Sequence, residues 1–167
     1  MVKKMTSAAM LAALAMIFSY VETMIPINFG IPGIKLGLAN VVVIVALYLL
    51  GARWAFAISG VRIALVAFTF GNIAMGVYSL AGGMLSLAAM FVLYKKNGYT
   101  IIGVSVIGGV FHNIGQLAVA VVTVSNINLI LYLPVLLCAG VITGYLIGVA
   151  ASLVLPRIDR FYGERCG

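Results

Sequence analysis

Arg62, His112, Asn113 and Gln116 stand inside stretches that are otherwise apolar, and they carry most of the polar chemistry available to this chain. A guanidinium offers five N–H donors and a permanent charge, an imidazole donates or accepts, and the amides do both. His112 and Gln116 are four residues apart, which puts them on one face of a helix. Glu22, Lys35, Asn40 and Asn72 add polar groups at the ends of neighbouring apolar segments. Lys35 and Arg62 outnumber Glu22, and a protonated His112 would widen that surplus. Side chains of these types suit the grip of a small solute bearing a carboxylate or phosphate. They do not suit magnesium–diphosphate chemistry, which draws on clustered carboxylates. The whole chain has three acidic residues, Glu22, Asp159 and Glu164, and they are far apart in sequence. No G-x-x-x-x-G-K-[ST] run occurs, so ATP-driven work would fall to a partner. Catalytic residues, metal ligands and cofactors are not expected.

The elements that must position these groups follow from composition. Hydrophobic residues make up 65% of 167 and charged residues 8%, with mean hydropathy +1.26. A soluble domain carries about 25% charge, so an all-helical integral membrane protein is expected. Six spans of about 20 residues would use roughly 120 positions, which leaves room for one membrane domain over 1–167 and short loops. The spans are placed at about 5–24, 35–51, 54–71, 77–94, 99–124 and 129–155. Pro26, Gly30, Pro32 and Gly33 mark the first loop, Gly51-Ala52-Arg53 and Lys95-Lys96-Asn97-Gly98 mark turns, and Pro156 is expected to stop the last helix. The third connection, Gly71 to Gly76, stays apolar. Lys3 and Lys4 before an apolar run imitate a signal peptide, but no small-residue cleavage site follows, so the run is read as a first span.

Orientation follows from Lys and Arg. With both ends in the cytoplasm, that side holds Lys3, Lys4, Arg53, Lys95, Lys96, Arg157, Arg160 and Arg165, eight of the ten basic residues. The net charge of +7 therefore reads as topology in a multi-pass cytoplasmic-membrane protein and not as affinity for nucleic acid. Cys138 and Cys166 have no metal-binding spacing and are not expected to form a bridge.

An arginine in hydrocarbon costs about 2.5–3.5 kcal/mol even on the lenient insertion scale. Arg62 lies about 12 Å past Trp54, and His112 about 18 Å past Thr100, at the helical rise. Each polar group also has a structural reading. Arg62 could snorkel toward the cytoplasm, Glu22 and Lys35 could pair at the interface, and His112, Asn113 and Gln116 could bind helices together. Their joint concentration in the outer half favours a polar solute site, with the Ile25–Ile34 loop as a lid.

Small residues recur at helical spacing. Gly140, Gly144 and Gly148 form a ladder that suits close packing with another helix of the same bundle, or with another subunit. Ala8/Ala12 and Ala9/Ala13 make a smooth stripe at the cytoplasmic end of the first helix, read as a docking face for a partner.

Three blocks carry a family resemblance: Pro32-Gly33-Ile34-Lys35-Leu36-Gly37-Leu38-Ala39-Asn40, Ser79 to Leu87, and Gly108-Gly109-Val110-Phe111-His112-Asn113-Ile114-Gly115-Gln116-Leu117. From about Met5 to Pro156 the chain resembles the Gx transporter family, also described as heptaprenyl diphosphate synthase component I. That family is similar to the substrate-binding S components of energy-coupling factor transporters. The resemblance implies six helices, solute capture from outside, and docking on a membrane scaffold that carries two ATPases. It implies Ala8, Ala9, Ala12 and Ala13 as the contact face, and Lys35, Asn40, Arg62, His112, Asn113 and Gln116 as solute contacts. Prenyl chain elongation itself needs aspartate-rich motifs, and Asp159 is the one aspartate present. The alternative is therefore a non-catalytic membrane accessory to heptaprenyl diphosphate or menaquinone synthesis.

Overall fold

A computed structural model describes residues 2–24, 37–69, 73–96 and 98–163. Its elements are α1 (Val2–Met24), α2 (Leu38–Leu49), α3 (Ala52–Thr69), α4 (Ile73–Lys95), α5 (Ile101–Val124), a single 3-10 segment (Ile127–Tyr132) and α6 (Leu133–Gly163). All regular structure among the described residues is helical, because a helix satisfies its own backbone where lipid offers no hydrogen bonds. Five of the helices are long and apolar enough to cross a membrane. Lys35, Asn72 and the Ile25–Ile34 loop lie outside the described residues.

Local chemistry sets the helix ends. Gly37 takes φ 77° to open α2, and Gly51 takes φ 90° in the turn before α3, a region that costs other residues steric strain. Thr100 caps α5 by accepting from the Gly103 N–H at 3.1 Å. Asn126 caps the 3-10 segment through the Asn128 N–H at 3.0 Å.

Two expected boundaries need correction. Pro156 does not stop the last helix; α6 runs on to Gly163. A proline removes one ladder hydrogen bond, but Leu155 is buried and Ile158 packs against the core, which holds the next turn in place. The third connection is also shorter than expected. Helix resumes at Ile73, and Gly76 lies where an added Cβ would come within 2.8 Å of the Ala67 Cβ. α3 and α4 thus approach closely just past the turn.

The helices form two groups. α1, α2 and α3 pack on one another, α4, α5 and α6 stack in sequence, and the groups meet through α3 against α4 and α2 against α6. Within the first group α2 is central: Val42 through Leu47 are all buried, as expected of a helix that is apolar all round. At 12 residues it is about 18 Å long. The glycine ladder turns inward, against α5. A Cβ on Gly109 would fall 2.3 Å from the Gly140 carbonyl oxygen, and Gly144 and Gly148 lie against Val106 and Ile102. Between these helices backbone meets backbone, so apolar segments with no solvent to drive them together still gain dense contact.

Candidate functional site: a buried polar cluster

α3 positions Arg62 halfway along its length, on a face shared with Ser59 one turn earlier, and both are buried. Arg62 is only 7% exposed, so it does not snorkel out. Its charge interacts with Glu22, from the far end of α1, and reaches His112 on α5. Glu22 is itself buried and accepts a hydrogen bond from the Gly37 N–H. This carboxylate therefore links the end of α1 to the start of α2 while it balances the guanidinium. The surplus of positive charge expected from the sequence counted Lys35; among the described residues Glu22 offsets Arg62.

α5 brings His112, Asn113 and Gln116 inside, all buried. His112 packs against Gly82 in α4. Gly82 has to be glycine for this. A Cβ there would lie 2.9 Å from the His112 carbonyl oxygen, 2.9 Å from the Gln116 Cγ and 3.1 Å from the His112 Cε1. Asn113 turns the other way and donates from Nδ2 to the Leu136 carbonyl at 2.8 Å, which clasps α5 to α6. Asn40, in the first turn of α2, is half-buried. Its N–H donates to the Gly37 carbonyl at 2.8 Å, and its Nδ2 would sit 2.9 Å from a Cβ at Gly37. It therefore adjoins the glycine that Glu22 holds.

Two buried nitrogens in this cluster, Arg62 Nε and His112 Nδ1, have no hydrogen-bond partner among the described residues. A buried donor or acceptor in that condition costs about 1–3 kcal/mol. Sequence reasoning missed four serines in the same interior: Ser19, Ser59, Ser86 and Ser105 are all buried. Ser19 and Ser59 each precede a buried charge by three residues, and that spacing was the available signal.

The alanines of α1 do not share one outward face. Ala8 is buried and Ala12 packs against the core, whereas Ala9 and Ala13 are exposed. Ala9 and Ala13 are the pair that stands free of the bundle's packing.

A family model described as heptaprenyl diphosphate synthase component I matches residues 11–154. The chain belongs to that family. The match takes in α1 from Leu11, all of α2 to α5 and most of α6, and so covers every member of the polar cluster. No curated protein and no solved structure matches the chain. Among the described residues no group of three or more His, Cys, Asp or Glu could hold a metal ion.

Proposed function

We propose that this family member is a six-span protein of the cytoplasmic membrane, with both ends inside, that captures a small solute bearing an anionic group. Partner ATPases on a membrane scaffold would drive its uptake, as in the S components that the sequence resembles. The observation that carries the reading is a buried pair of nitrogens, Arg62 Nε and His112 Nδ1, that have no hydrogen-bond partner among the described residues and are set among groups from α1, α3, α4 and α5. A bundle that needed only to pack could place apolar residues at these positions and avoid the burden of a buried arginine.

A thermal-shift panel on the purified protein tests this. Vitamins, flavins, naphthoates, nucleobases and isoprenyl phosphates should include one compound that raises the melting temperature, by an amount that grows with its concentration. His112→Ala should lose that increase. A panel with no stabilising member, or a full increase in His112→Ala, would count against solute capture.

The scaffold is tested on α1. Ala9→Trp and Ala13→Trp add bulk where the helix is exposed and should abolish co-purification with a scaffold and ATPases while the protein stays folded. Unchanged co-purification would remove this face from the proposal.

The family's description favours a second reading, a membrane accessory of heptaprenyl diphosphate synthesis. Co-purification with a soluble prenyl synthase, in place of ATPases, would select it.

A further inference from the structure

Every exposed charged side chain among the described residues lies at one end of the bundle. A single apolar cluster takes Ala8 from α1, Leu47 from α2, Ala55 from α3, Tyr94 from α4, Ile101 from α5 and Leu155 from α6. It therefore gathers the start of α1, α3 and α5 and the close of α2, α4 and α6 at one level. Lys4, Arg53, Lys95, Lys96 and Arg157 are exposed next to these positions. The first 158 residues hold a single acid, Glu22, which is buried and bonded to Gly37 at the opposite end. Asp159 and Glu164 both follow Arg157 in the C-terminal stretch. α1 to α5 thus bring cations to this end and no carboxylate.

Aromatic rings set the face at the membrane boundary. Tyr48, at the close of α2, meets Tyr94 of α4 edge-on, with ring centroids 5.0 Å apart. This contact ties the α2–α3 turn, which leads to Arg53 and Trp54, to the end of α4, which leads to Lys95 and Lys96. Trp54 is half-buried and packs on the core. Tyr and Trp favour the level of lipid headgroups. Lys95 leans back along its helix, with Nζ 5.2 Å from the centroid of the Phe91 ring, so its stem covers apolar surface while the ammonium stays at the boundary. We propose that this end of the bundle is a binding face for anionic phospholipid, which gathers acidic headgroups around Arg53, Lys95 and Lys96 in preference to zwitterionic ones. Attraction of this kind sums over the charges and needs no convergence on one ligand. It is worth roughly fivefold in affinity for each basic residue near the surface. An acidic protein would match the charge, whereas a lipid leaflet matches both the charge and the rings.

Trp54 is the one tryptophan in the chain, so its fluorescence reports this face. The full chain is placed in phosphatidylcholine bilayers with equal mole fractions of chain-brominated phosphatidylcholine or chain-brominated phosphatidylglycerol, since bromine quenches tryptophan on contact. At low salt the brominated anionic lipid should compete for the surroundings of Trp54 about fivefold better than the zwitterionic one. About 1 M salt, where the screening length is about 3 Å, should remove the preference. The Arg53→Gln/Lys95→Gln/Lys96→Gln protein should lose it at low salt as well, and with all three positions exposed it should melt like wild type. Equal quenching of wild type by the two lipids at low salt would overturn the proposal and leave the cations to an acidic protein. A preference unchanged by salt or by the three substitutions would also overturn it. Neither result bears on solute capture, which the thermal-shift panel judges.

Discussion

Arg62→Met should destabilise the protein by about 3–5 kcal/mol, the usual result of stripping one partner from a buried charge pair. Methionine keeps much of the apolar stem, so the loss comes mainly from the Glu22 carboxylate, which stays buried without the guanidinium charge that now acts on it. Adding Glu22→Gln should restore most of the loss. The amide has no charge to compensate, and its oxygen can still accept from the Gly37 N–H. Denaturant or thermal unfolding of wild type, both single variants and the double variant closes the cycle. Independent, additive effects would show that Arg62 and Glu22 are not coupled.

Gly109→Leu should be comparably damaging through geometry alone. The first carbon of any side chain would fall 2.3 Å from the Gly140 carbonyl oxygen and 3.1 Å from the Gly144 Cα. Backbone cannot rotate out of the way as a side chain can, so α5 and α6 must part. A loss of about 3 kcal/mol is expected, at the upper end of ordinary overpacking, together with the Asn113–Leu136 bond between the same helices. Gly60→Ala is the control: a Cβ there meets nothing within 4 Å, and alanine favours a helix. That variant should melt at or slightly above the wild-type temperature. A Gly109→Leu protein as stable as wild type would contradict the close packing of these helices.

Much of the fold was legible because a membrane punishes unpaired backbone, so long apolar runs become helices whatever their neighbours. Boundaries were less legible where tertiary contact overrules local chemistry. Pro156 looks like a stop, and only the packing of Leu155 and Ile158 on the core explains why the helix continues. The site shows the same division. Arg62, Glu22, His112 and Gln116 are conspicuous because polar groups are rare and costly in apolar segments, and the fold gathers them. The buried serines are small enough to pass unnoticed in such a segment. Asn113 has the composition of a solute contact, but its partner lies 23 residues away on another helix, beyond the reach of local pattern. On α1, Ala8/Ala12 and Ala9/Ala13 lie on adjacent stripes about 100° apart, from 3.6 residues per turn. Spacing shows both stripes and cannot say which one α2 and α3 will cover.

The most direct measurement pairs the Glu22→Gln/Arg62→Met protein with wild type in the presence of the solute that stabilises wild type. The double variant should melt close to wild type when no solute is present and gain nothing when it is added, because the fold no longer depends on the charge pair and the solute still does. Equal stabilisation of the two proteins would mean that Arg62 and Glu22 serve the bundle alone.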